Sequence, residues 1–181
     1  MDSDKMLIDR ILAGNLGAYK QLVRHHEKLV SHMVSRVVQN EEDIKDVSQE
    51  VFIRVYQHLG RFSFEAKLST WIAKIAYTTS LNHLRKKGNQ NAYNADPGEN
   101  EFVDDLTPAD ILHAKNEAEF IQQQVRRLPL AYRTVLTLYH LNEFSYREIE
   151  EITGMPEGTV KTHLFRARKL LKERLERYYK R

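Results

Sequence analysis

SYREIEEITGMPEGTVKTHLFRARKLL, residues 145–171, is the stretch on which the fold reading turns. Ser145, followed three residues later by Glu148, has the form of a capping box, in which each side chain satisfies a free N–H at the start of a helix. Gly154 stops that short helix, and Pro156 fits the first turn of the next, where its missing N–H costs nothing. A short helix, a tight turn at Thr153-Gly154-Met155-Pro156 and a long basic helix form the layout of a helix-turn-helix. At about 100° per residue, Val160, Leu164, Ala167, Leu171 and Leu175 fall on one face and pack inward. Lys161, Thr162, Phe165, Arg166, Arg168 and Lys169 occupy the other side. Cations attract phosphates, and short polar and apolar side chains among them suit base edges in the major groove. An exposed Phe165 in a basic face has little use on a merely soluble helix. Its bland alternative is packing against a neighbouring helix.

Upstream, Pro129 opens a helix through Val135, Leu136, Leu138 and Tyr139 to Leu141. Thr107-Pro108-Ala109-Asp110 has the make-up of a helix start, and the helix it opens should run to Leu128. Between this unit and the first half of the chain lies GNQNAYNADPGENEFVDDL, residues 88–106, acidic, rich in Asn and Gly and without apolar period. It reads as a flexible linker. Charge divides along the chain. Gly88 to Ala114 holds six acids and no Lys or Arg, whereas Met155 to Arg181 holds nine bases against Glu157, Glu173 and Glu176. The whole 181-residue chain balances 28 bases against 25 acids, for a net charge of +3. A basic terminal helix behind an acidic segment points to a polyanion partner at one end only.

The first half has no proline, since Pro97, Pro108, Pro129 and Pro156 all fall later. Its apolar spacing predicts helices over about Asp4 to Gly14, Leu16 to Val38, Glu41 to Leu59, and from an N-cap near Ser69 to Lys87. The third is two-faced. Ile44, Val47, Val51, Val55 and Leu59 face inward, while Glu42, Asp43, Asp46, Glu50 and Gln57 lie opposite, with Gln49 at the border. An acidic face on a nucleic-acid-binding protein cannot meet phosphates, so it faces either solvent or a basic protein surface. The next segment, RFSFEAKLSTW (residues 61–71), sets aromatics around a helix start. Behind it Trp71, Lys74, Thr78, Asn82 and Arg85 make one stripe, while Leu68, Ile72, Ile75 and Ala76 make the buried side. Rings beside cations suit single-stranded nucleic acid, where bases stack and cations hold the backbone. Phe62 and Trp71 also have a partial role as core, since tryptophan is usually mostly buried.

Several classes are disfavoured. Without cysteine there is no disulfide, thiolate metal site or cysteine nucleophile. The charged N-terminus lacks the apolar core of a signal peptide, and no apolar run approaches the roughly 20 residues that span a bilayer. A cytoplasmic protein without membrane insertion is expected. His25-His26 is not HExxH, and neighbouring helical side chains point apart. No phosphate-binding loop or nucleophile elbow occurs, so no metal, cofactor or catalytic residue is expected.

With these residues laid out, the chain resembles bacterial RNA polymerase sigma factors of the extracytoplasmic-function (ECF) group, in the sigma-70 family. Three stretches carry the likeness: Asp46-Val47-Ser48-Gln49-Glu50-Val51-Phe52, Thr70-Trp71-Ile72-Ala73-Lys74-Ile75-Ala76, and Leu128-Pro129 through Ser145-Tyr146-Arg147-Glu148-Ile149 to Gly158-Thr159-Val160-Lys161-Thr162. The resemblance covers essentially the whole chain. It implies an all-α fold of two small helical domains: a σ2-like four-helix unit over residues 1–87, the linker over 88–106, and a σ4-like helix-turn-helix unit over 107–181. It implies an initiation subunit without catalysis of its own, which lends promoter recognition and strand opening to core RNA polymerase. Asp43, Asp46, Gln49, Glu50 and Phe52 would dock on the clamp coiled coil of the β′ subunit. Phe62, Phe64, Thr70, Trp71, Lys74, Thr78, Asn82 and Arg85 would melt and capture the −10 element. Thr159, Lys161, Thr162, His163, Phe165, Arg166, Arg168 and Lys169 would read the −35 element. Leu130 to Leu141 would face the β-flap, and an anti-sigma factor is a further candidate partner.

The chain departs from the family pattern at Thr78, where Asn is common, and at Asn82, where Asp is common. Ser63-Phe64 replaces a frequent Arg-Gly, and Leu68 a frequent aromatic. Glu150 replaces a small residue in the first helix of the DNA-binding pair and is expected to lean outward. The competing reading is a stand-alone helix-turn-helix regulator, which accounts for Lys161 to Lys169 but leaves the acidic face and the Trp71 stripe without purpose. A nucleic-acid enzyme would need convergent titratable residues, and the sequence offers none.

Overall fold

A computed structural model describes residues 2–88 and 117–179, and among these every regular element is helical. The first four helices are α1 (Asp2–Leu12), α2 (Leu16–Val37), α3 (Glu41–His58) and α4 (Leu68–Lys86). The later four are α5 (Glu117–Arg126), α6 (Leu130–His140), α7 (Tyr146–Thr153) and α8 (Glu157–Tyr179). Local chemistry sets the boundaries. Gly14 takes φ 88° after α1, and the Asn15 side chain then caps α2 by accepting from the Ala18 N–H. The Asn40 side chain does the same for α3 toward Glu42 and Asp43. The capping box of Ser145 and Glu148 forms as expected, and Gly154 ends α7 at φ 75°. The expected linker beyond Gly88 and the expected start at Thr107-Pro108 lie outside the described residues.

Two boundaries differ from expectation. The cap of α4 is Lys67 rather than Ser69, with no side-chain bond to the helix. Leu68 is buried, so the helix begins where that side chain can be held in the core, one residue ahead of the serine. After α3 the chain tightens into a 3₁₀ turn over Leu59–Arg61, which places Leu59 in the core and swings Phe62 inward.

The central helix is α2, which packs on α1, α3 and α4 and, on a further side, on α6. Leu22, Val30, Met33, Val34 and Val37 supply its buried stripe, and Val47, Val51 and Val55 answer from α3. In the second unit Val160, Leu164 and Ala167 of α8 are fully buried, as the wheel requires. Glu150 is exposed, so its carboxylate is never desolvated.

The two units touch through polar clasps. Arg133 of α6 donates from Nε to the backbone carbonyl of Arg36, in the last turn of α2, and from Nη1 to the carbonyls of Arg126 (3.0 Å) and Leu128 (3.4 Å). Carbonyls at helix C-termini lack partners within the helix and carry the negative dipole end, so one guanidinium satisfies two helix ends at once. Burial, and then the nearby Arg36, pushes Arg133 down to about 10. The second clasp joins α7 to the start of α4: Lys67 Nζ lies 2.9 Å from Glu148 Oε1, and the Thr70 hydroxyl donates to the same oxygen at 3.4 Å. Glu148 thus serves its own helix cap and the other unit together.

Candidate nucleic-acid interface

The basic face of α8 is built on the buried Val160–Leu164–Ala167 stripe, which fixes the helix and turns its other side outward. Phe165 is 68% exposed. Lys161, Thr162, Arg168 and Lys169 are also exposed, and Arg166 and Thr159 are half-buried. Lys161 pairs with Glu157 at 2.5 Å, and the Thr162 hydroxyl donates back to the Gly158 carbonyl at 2.9 Å. His163, expected to read DNA, is instead buried, with its ring 5.1 Å from that of Tyr132. It sits just behind Thr162 on the turn that faces α6, on the packed side of the helix rather than its exposed face. The bland alternative for Phe165 does not hold among the described residues, where no neighbouring helix covers it.

The aromatic segment before α4 is arranged differently. Phe62 lies 4.8 Å from Phe64 and 5.3 Å from Trp71, ring centre to ring centre, in tilted contacts. Phe64 holds φ 60°, a left-handed conformation unusual for an aromatic residue, which lets its ring turn back onto Phe62. Phe62 is buried at 8% exposure, and Thr70 is fully buried beneath Glu148. Trp71 is half-buried, and Lys74, Thr78 and Arg85 are exposed along the expected stripe, with Asn82 half-buried. The structure therefore brings Trp71, Lys74, Thr78, Asn82 and Arg85 together and withdraws Phe62 and Thr70 from it.

The acidic face of α3 is smaller than the sequence suggested. Asp46 and Gln49 are exposed. Glu50 is held by Arg54 at 2.6 Å. Asp43 is turned toward the end of α4, where Lys87 lies 2.5 Å and His83 3.6 Å away. The Lys87 hydrogen bond keeps its carboxyl below the usual range. Phe52 is half-buried against the core rather than standing free on the acidic side, and its backbone carbonyl accepts from the Tyr19 hydroxyl at 2.6 Å. Ile53, 57% exposed, is the residue the sequence reasoning missed. It stands one turn from Gln49, Glu50 and Gln57, and an apolar side chain at the centre of a polar face was visible on the wheel.

A third feature was not foreseen. Leu171 and Leu175 of α8, expected to pack inward, instead line an open groove of about 550 Å³ with Ile121, Val125 and Leu136, and Arg36, Arg168 and Lys172 also border it. No helix among the described residues is long and apolar enough to cross a membrane.

The chain that carries these surfaces is similar to known proteins along most of its length. The family profile for sigma-70 region 2 matches residues 22–90, and that for sigma-70 region 4 matches residues 120–171. The chain is 31% identical over 179 residues to the ECF RNA polymerase sigma factor SigW of Bacillus subtilis, covering 94% of this chain and 96% of that one. It is 30% identical over 183 residues to the ECF RNA polymerase sigma-E factor of Haemophilus influenzae, covering 96% of each. In fold it is similar to CnrH, solved in complex with the cytosolic domain of CnrY, with a TM-score of 0.68 at 20% identity over 96% of this chain and 97% of that one. The sigma factor RpoE of Bartonella quintana, solved with the anti-sigma factor NepR, gives the same TM-score at 19% identity, over 87% and 96%.

Proposed function

The chain belongs to the ECF group of the sigma-70 family and is a promoter-specific transcription-initiation factor; on that premise we propose how its surfaces divide the work. Residues 1–87 act as the core-binding and −10 unit, 88–106 as the linker, and 107–181 as the −35 unit. The chain performs no chemistry itself, and polymerisation belongs to the core enzyme. The observation that carries the reading is the exposed Phe165 set among Lys161, Thr162, Arg168 and Lys169 on a helix whose opposite side is locked into the core. Such a face offers charge for phosphates and an apolar ring for a thymine methyl, which is what major-groove reading needs.

On the other unit, Asp46, Gln49 and Glu50 meet a basic surface of the β′ clamp, with Ile53 at the centre of the contact. An apolar anchor ringed by polar groups is the usual anatomy of an interface hot spot. Trp71, Lys74, Thr78, Asn82 and Arg85 hold the opened −10 strand by stacking and charge. The apolar groove between α5, α6 and α8 suits a helix of the β-flap. One structural neighbour was solved with an anti-sigma factor, and a protein of that kind is a candidate further partner here. A cytoplasmic location follows from the same reading.

Co-elution with bacterial core RNA polymerase at sub-micromolar concentration is the test. The wild-type chain is expected to bind, and Asp46→Arg with Glu50→Arg is expected to weaken binding by about 1–3 kcal/mol, as reversed rim charges repel their partner. A chain that stays free of core yet shifts duplex DNA alone would favour the stand-alone regulator.

A further inference from the structure

Two tyrosines lie beside the basic face of α8, and the −35 reading leaves them without a role. Tyr139, near the end of α6, and Tyr146, the first residue of α7, are stacked with ring centres 5.2 Å apart and planes within 15°. Each ring carries one cation of α8. Lys161 Nζ lies 5.3 Å from the centre of the Tyr146 ring, and the Arg168 guanidinium lies 5.2 Å from that of Tyr139. Both distances lie within the range in which a ring face attracts a cation. Each cation has one further holder: Glu157 for Lys161, and His140, whose Nε2 accepts from Arg168 Nε at 3.0 Å.

Resting on the −35 reading, we propose that the Tyr139–Tyr146 stack is a positioning platform that holds Lys161 and Arg168 as phosphate contacts flanking the −35 element. Lys161 and Arg168 are seven residues apart, so they fall on one stripe of α8, about 10 Å apart along its axis. Thr162 and Lys169 lie about a quarter-turn further round. The platform thus keeps the first pair at one edge of the reading face and leaves the second pair to approach the bases. Free lysine and arginine side chains lose much rotamer freedom when they bind. A cation already resting on a half-buried ring has lost part of that freedom before DNA arrives, and preorganisation of this kind raises affinity without adding a contact. The stack joins α6 to α7 across the turn and leans on α8, so it also ties the cations to the frame of the helix-turn-helix. Tyr139 and Tyr146 are positioning residues; they touch the cations, and the cations touch DNA.

The test uses the full chain assembled with core polymerase on a promoter duplex, with affinity measured across a salt series. Tyr146→Leu and Tyr139→Leu are each expected to weaken binding about three- to tenfold. Each should also make log K fall less steeply with log salt, by up to about 0.9, because the released cation occupies its phosphate contact only part of the time, with base preference at the −35 element unchanged. Tyr146→Phe keeps the ring and is expected to retain wild-type affinity and slope. Adding Lys161→Ala to Tyr146→Leu should cost little more than Lys161→Ala alone, because the ring acts through that lysine. Equal losses in Tyr146→Phe and Tyr146→Leu, an unchanged salt slope, or additive effects in the double variant would each overturn the platform. A wild-type complex indifferent to any −35 element would overturn the parent reading, and the platform with it.

Discussion

Phe62 and Phe165 stand in similar sequence settings, each an aromatic ring among bases near a helix expected to touch DNA, and the fold treats them in opposite ways. Phe165 is 68% exposed, and Phe62 is 8% exposed with Phe64 and Trp71 packed around it. The difference comes from what lies across from each helix. Among the described residues no element covers the outer side of α8, so the ring stays available. The start of α4 is closed from within by Phe62, whose ring meets Trp71, and from without by α7, whose Glu148 reaches Lys67 and Thr70. The surface proposed to read the −35 element is therefore ready-made, whereas part of the one proposed for the −10 element lies under the other unit. Reading a base at Thr70 would require that α7 leave α4.

The largest expected effect separates these two rings. Phe62→Ala should cost about 3–5 kcal/mol of stability, as truncation of a buried phenylalanine does, and a urea melt measures it. Phe165→Ala should melt within about 0.5 kcal/mol of wild type, yet lose about 1–3 kcal/mol of −35 affinity if the ring meets a base. A Phe62→Ala protein that melts normally but fails to open a promoter would make Phe62 a stacking platform and erase the contrast.

Most of the fold was legible because its boundaries are local. The Ser145–Glu148 box and Gly154 each settle a helix end within a few residues, and the inward stripes of α2, α3 and α8 follow from one helical period. The illegible parts depend on residues distant in sequence. On the wheel Asp43 belongs to the acidic face, but Lys87, forty-four residues away, draws it to the end of α4. His163 is polar and borders the reading face, yet Tyr132 claims it. Thr70 is covered by a carboxylate seventy-eight residues away. A wheel gives the direction of a side chain; it does not say which helix waits there.

The next effect sharpens the open half of the comparison. Arg166→Ala should weaken −35 binding by about 1–3 kcal/mol and relax base preference at one position if Arg166 reads a base. If it meets a phosphate, the loss should be uniform across sequences, with a shallower salt dependence. Filter binding of the polymerase complex to matched and mismatched duplexes, at two or more salt concentrations, separates these outcomes.

The smallest expected effect concerns the covered half, and Glu148 decides it. Burial works to raise its pKa, but hydrogen bonds from the Ser145 hydroxyl and backbone N–H, together with Lys67, outweigh burial and hold the carboxyl down to about 2. A carboxyl depressed in the folded state stabilises it fully above its ordinary value near 4.5, and the contribution fades as pH falls from there toward about 2. Lys67 is 75% exposed, so the ion pair is mostly solvated and should contribute at most about 1 kcal/mol. Glu148→Gln removes the charge while glutamine can still complete the capping box, so α7 should remain folded. Trp71 is the chain's one tryptophan and sits in the first turn of α4, where it reports uncovering directly. Acrylamide should quench its fluorescence slightly more in Glu148→Gln than in wild type at neutral pH. Between pH 4.5 and 2 quenching should rise in wild type by a step that the variant lacks, because other carboxyls titrate alike in both. Identical quenching at every pH would mean that α7 rests on α4 without help from Glu148, leaving the packing of the two helices and the Arg133 clasp to keep Thr70 covered.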